Sequence, residues 1–140
     1  MRYIFFAVFL AAAALSMAQA FPGGERGGGR HQESLEEVKK TASGLEEAVK
    51  LHPERANLHI QLGFAYARLE RTDEAMGSFE TAVRLDPKSA IAHYMLGLIY
   101  EKKGLREKAA AAWEACLKNA GENHMRETAI KHLHHLSIIR

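Results

Sequence analysis

The feature that most constrains this chain is a pattern it spells twice. Leu62 to Phe79 reads "LGFAYARLERTDEAMGSF", and Leu96 to Trp113, 34 positions later, reads "LGLIYEKKGLREKAAAAW". At that shift His59 falls on His93, Leu62 on Leu96, Gly63 on Gly97 and Tyr66 on Tyr100, while Ala75 falls on Ala109, Phe79 on Trp113 and Ala82 on Cys116. What persists is residue size at spaced positions, which is what packing demands. A period of this length holds one helix pair, and such a unit buries its apolar face only on its neighbours. Leu62 and Tyr66 are expected to fill the space between two antiparallel helices. Gly63 and Ala75, being small, let the backbones approach. Phe79 packs between one pair and the next, and Pro87 ends the pair. No strand-like alternation persists, so the chain reads as all-α with about six helices.

The flanks extend the register. Ser34 and Glu37 stand at capping-box spacing, and Leu35, Val38, Ala42, Leu45 and Val49 share one helical face. Pro53 limits this helix at about Leu51. Moving back one period puts Leu45 on Phe79, Ala48 on Ala82 and Pro53 on Pro87, so it reads as the second half of a repeat. A last helix is expected from about Asn123 to Ile139. Moving forward one period puts Ile130 on Leu96, Lys131 on Gly97 and His134 on Tyr100. A Lys does not fit where backbones touch, so this helix reads as a cap whose stripe of Met125, Ala129, Leu133, Leu136 and Ile139 covers the open end.

The start of the chain is a separate matter. "MRYIFFAVFLAAAALSMAQA" places Arg2 before an apolar run and ends in Ala18-Gln19-Ala20, the small-x-small pattern of a secretory signal cut before Phe21. The alternative, an uncleaved anchor, needs an apolar run of about 20 residues, longer than this one. No Cys lies beside the site, which argues against a lipoprotein. The expectation is an exported chain, in the bacterial periplasm or secreted. Residues 21–33 are Gly-rich and read as a flexible linker. The expected partition is 1–20 signal peptide, 21–33 linker and 34–140 repeat domain. Within that domain, 34–53 is the half-repeat, 56–89 and 90–123 the full repeats, and 124–140 the cap.

Loss of Arg2 leaves 18 basic residues against 17 acidic ones, which is no electrostatic footprint for nucleic acid or, after cleavage, for a membrane surface. Cys116 is alone, so no intrachain disulfide forms and stability rests on packing.

These motifs resemble the tetratricopeptide repeat family, whose signature is W-x2-L-G-x2-Y, then A-x3-F, a small residue and Pro. It appears here as "HIQLGFAY", "AMGSF", Ala82 and Pro87, and again as "HYMLGLIY", "AAAAW", Cys116 and Gly121. The resemblance implies an antiparallel helix-pair solenoid. Three departures stand out: His59 and His93 replace the Trp, and Glu70 stands where a Gly usually ends the first helix, as Gly104 does. Thr72, followed by Asp73 and Glu74, is expected to N-cap the next helix.

The resemblance also implies a concave groove lined by the first helix of each repeat. The positions carried over are Asn57, Ile60, Phe64 and Arg68, then Ile91, Tyr94, Leu98 and Lys102. Five of these eight are apolar or aromatic, with Arg68 and Lys102 at the polar edge, which suits an amphipathic helix or extended peptide. The paired Lys and Asn residues with which some members grip a C-terminal carboxylate are replaced by Ile60, Phe64, Ile91 and Met95. The implied role is an adaptor that binds a partner protein or peptide. Two alternatives stand beside it: homodimer or homo-oligomer formation through the same apolar surface, and metal binding. For the latter, His132 and His135 are spaced to offer two imidazoles from one helix, although no carboxylate or Cys joins them at a recognised spacing. His59 and His93 share one repeat position and read as structural. No phosphate loop or hydrolase motif is found, and Cys116 sits at a small buried position. The expectation is no catalysis, no cofactor and no metal.

Overall fold

A computed structural model describes residues 34–138, and within them the chain is six helices without a strand. These are α1 (Leu35–Leu51), α2 (Ala56–Arg68), α3 (Thr72–Leu85), α4 (Ala90–Lys102), α5 (Arg106–Asn119) and α6 (Asn123–Ile138). The expected signal peptide and linker, and Ile139, lie outside the described residues. Extensive packing runs between consecutive helices, α1 on α2 through to α5 on α6, the arrangement of a helix-pair solenoid.

Local chemistry sets the helix ends. Ser34 caps α1 through a complete capping box with Glu37, and α1 ends at Leu51, just before Pro53. The start of α3 differs from expectation. Thr72 is its first helical residue, Arg71 occupies the cap without a side-chain hydrogen bond, and Arg71 instead pairs with Glu74 at 2.9 Å. Both hairpins between paired helices turn through a left-handed residue, Glu70 at φ 59° and Gly104 at φ 71°. Glu70 therefore adopts the conformation that the glycine at the equivalent place adopts freely.

The core repeats as the sequence does. Ala75, Phe79 and Ala82 of α3 and Ala109, Trp113 and Cys116 of α5 are all fully buried. The close approaches fall at the two glycines: a Cβ on Gly63 would lie 2.8 Å from the Phe79 ring, and one on Gly97 would lie 2.5 Å from the Trp113 indole. Even the polar ties recur. The Tyr66 hydroxyl donates to Glu46 of α1 at 2.7 Å, and the Tyr100 hydroxyl donates to Glu80 of α3 at 2.7 Å. His59 Nε2 donates to the Pro53 carbonyl at 2.9 Å, and His93 Nε2 to the Pro87 carbonyl at 2.9 Å. Because a carbonyl only accepts, both rings carry a proton on Nε2. Each histidine thus pins the loop that leads into its own helix.

The register changes once. Residues 86–89 connect α3 to α4, but only residues 120–122 connect α5 to α6, so α6 begins 33 residues after α4 rather than 34. Met125, Ala129 and Leu133 thereby take the places of Ala92, Leu96 and Tyr100, and all three pack on the core. Leu133 has no hydroxyl, so the Tyr–Glu tie has no third rung. Ile130, moved off the Leu96 place, is 54% exposed.

Candidate functional site

The eight first-helix positions keep access to solvent. Asn57, Arg68 and Lys102 are exposed, Phe64 is 36% exposed, and Ile60, Ile91, Tyr94 and Leu98 are half-buried. Their exposure follows from helical geometry. The opposite faces of α2 and α4, carrying Leu62, Tyr66, Leu96 and Tyr100, are spent on the core.

Two of these side chains have rigid backing. The Phe64 ring meets the fully buried Phe79 edge-on, with centroids 5.3 Å apart at 84°. The Tyr94 ring meets the fully buried Trp113 in the same way, at 5.2 Å and 86°. Such edge-to-face pairs hold a ring by more than area burial. Each repeat therefore presents one aromatic side chain, braced from below by the large ring of its own second helix. Met95, beside the strip, packs partly against the core.

A model of the TPR repeat matches residues 68–104, and a model of the tetratricopeptide repeat matches residues 90–123. The repeats of this chain are tetratricopeptide repeats. No curated protein sequence matches the chain at a significant level. Solved tetratricopeptide structures do. The TPR domain of Arabidopsis OM64 superposes with a TM-score of 0.64 at 23% identity, covering 71% of this chain and 83% of that one. The TPR2B domain of yeast Sti1, solved in complex with pHsp70, gives 0.64 at 18%, covering 75% and 86%. YrrB, described as a TPR protein with an unusual peptide-binding site, gives 0.61 at 29%, covering 69% of this chain and half (50%) of that one.

Beside these first-helix residues lies a cluster that sequence reasoning did not assemble. Trp113 Nε1 donates to Glu101 at 2.8 Å, His132 Nδ1 donates to the same carboxylate at 2.9 Å, and the His132 ring stacks on Trp113 at 4.4 Å and 18°. Glu101, Lys131, His132 and His135 line one surface depression of about 340 Å³. His132, one of the two residues of the metal alternative, is thus engaged with a carboxylate and an indole. Among the described residues, no group of three or more His, Cys, Asp or Glu side chains is placed to hold a metal ion. The signal for this cluster was present in the repeat: Ala67 gives way to Glu101 and Phe79 to Trp113 one period on.

The groups that could do chemistry are quiet. Cys116 is fully buried, and burial pushes its thiol up, away from the reactive thiolate. Burial, reinforced by the bond to Glu46, pushes the Tyr66 phenol up to about 12. Burial and the bond to Glu80 raise Tyr100 further.

Proposed function

We propose that this chain is an exported adaptor, in the bacterial periplasm or secreted, that holds a helix or extended segment of a partner protein against the first-helix faces of α2 and α4. The observation that supports this reading is the pair of braced aromatics, Phe64 on Phe79 and Tyr94 on Trp113. A partly exposed ring with a fixed orientation makes a good anchor, because little conformational freedom is lost when a partner covers it. Ile60, Ile91 and Leu98 add apolar surface beside the rings, and Asn57, Arg68 and Lys102 supply a polar edge. Structurally similar TPR domains of RPAP3, bound to HSP90 and HSP70 peptides, support this class of partner.

The test is affinity capture from the native host. The chain of residues 21–140 should retain a partner that Phe64→Ala releases while helicity is kept, and the host's own protein should have a mass that starts at Phe21. Equal capture by both proteins would contradict the groove, and an intact Met1 in washed membranes would contradict export.

A second reading, self-association, draws on a different place. Ile130 and Ile138 of α6 are 54% and 65% exposed. A second copy stacked on this end would cover them, and Ile130→Lys would then shift a dimer to monomer in sedimentation.

A further inference from the structure

Like the other end helix, α1, which buries only Val38 and Ala42, helix α6 is held more lightly than the four helices between them. It buries only Ala129 completely, whereas each of α2 to α5 buries four or five residues. Met125, Leu133 and Leu136 are only half-buried. Polar contacts do much of the fastening. The Arg106 guanidinium donates to the Leu136 carbonyl, Arg126 donates to the Leu117 and Ala120 carbonyls at 3.2 Å each, and His132 donates to both oxygens of Glu101 at 2.9 Å.

The Glu101–Trp113–His132 set is a coordinated departure from the equivalent contact one period earlier. One period earlier its three places hold Ala67 and Phe79 of the first repeat and Ile99 of the second, all hydrocarbon, at spacings of 34, 34 and 33. The replacements make sense only together. A buried indole N–H requires an acceptor, which Glu101 supplies. A half-buried carboxylate requires a second donor, which His132 supplies while its ring covers the indole. The other charged or titratable groups facing this cluster are Lys131 and His135 of α6 and Arg106 of α5. On its other side Trp113 meets Tyr94. A continuous series of contacts therefore runs from α6 through His132 and Trp113 to an aromatic ring of the groove.

We propose that α6 is a separately docking flap, locked by Glu101 and His132 over Trp113, and that its attachment sets the position of Tyr94. Glu101 and His132 are positioning residues in this account, acting on Tyr94 through Trp113. A helix with little buried apolar area opens at lower cost than the body of the domain. If a groove ligand touches Tyr94, docking of α6 and filling of the groove then favour each other reciprocally. That last consequence rests on the groove reading, whereas the lock itself does not.

The test needs no partner. Amide hydrogen exchange on the full chain should show residues 123–138 exchanging at least tenfold faster in His132→Ala than in wild type, with α2 to α4 unchanged. The near-UV signal of Trp113, the single tryptophan, should weaken, and the Tyr94 ring resonances should shift. Glu101→Gln, which keeps an acceptor for the indole, should stay within about threefold of wild type, whereas Glu101→Ala should behave like His132→Ala. The triple change Glu101→Ala, Trp113→Phe and His132→Ile, which copies Ala67, Phe79 and Ile99 one period earlier, should restore protection of α6. Exchange of α6 in step with α2 to α4 in every variant would overturn the flap. Loosening of α6 with unmoved Tyr94 resonances would overturn the link to the groove. Loss of partner capture with the lock intact would count against the groove alone.

Discussion

The hydroxyl of Tyr100 donates to Glu80 at 2.7 Å, repeating one period later the bond from Tyr66 to Glu46. Each bond joins a first helix to the second helix of the preceding unit, so it ties repeats together rather than one hairpin to itself. Tyr100→Phe keeps the ring and removes only this tie. A hydrogen bond to a charged acceptor contributes about 1.5–3 kcal/mol. Denaturant melts should show a lower midpoint with an unchanged slope, and an unchanged midpoint would show that the bond carries no stability.

The same two phenols set an alkaline limit. Burial first, and the carboxylate partner second, raise Tyr66 to about 12 and Tyr100 higher, from an ordinary value of 10.0. Below pH about 10 both groups are protonated whether the chain is folded or not, and their preference for the protonated form is fully satisfied. Above it the unfolded chain releases these protons first, so folding loses stability as pH rises toward 12 and beyond. Melting temperatures should fall over this range. Tyr66→Phe combined with Tyr100→Phe should flatten the fall, and an equally steep fall in the double variant would contradict the assignment.

Glu70 holds the left-handed conformation at φ 59° that Gly104 holds in the second repeat. A side chain there costs about 1 kcal/mol relative to glycine. Glu70→Gly should raise the unfolding midpoint by that amount, and a lowered midpoint would contradict the account of this turn.

Gly97 is the reverse case. A Cβ there would lie 2.5 Å from the Trp113 indole, which is itself fully buried and bound to Glu101. Gly97→Leu should overpack this contact and cost about 1–3 kcal/mol. A wild-type melt would mean that α4 and α5 meet elsewhere.

The repeats were legible because packing preserves size at fixed spacing: Gly97 against Trp113 can be read from Gly63 against Phe79 before either contact is seen. The last helix was legible as a cap, but not in its register. A connection one residue shorter moves every side chain of α6 by one place, and nothing in the residues of that connection announces the loss. The Glu101–His132 pair was missed for the same reason, since its members align with Ala67 and Ile99 one period earlier only when two different spacings are used. Thr72 misled because its chemistry suits a cap, while the helix begins one residue earlier than that role requires. The exposure of Phe64 could be expected from its repeat position. The bracing of Tyr94 by Trp113 required the coordinates.

The central claim is that partners bind across the first helices, and site-specific photocrosslinking tests it most directly. A photoreactive residue at Leu98, half-buried on α4, should crosslink to the captured partner, and one at Lys118, exposed on α5, should not. Adding Tyr94→Ala should reduce the Leu98 crosslink by about 30-fold or more at limiting protein, corresponding to an anchor worth about 2 kcal/mol. Crosslinking at Lys118 with none at Leu98 would place the partner on the second-helix face and contradict the account.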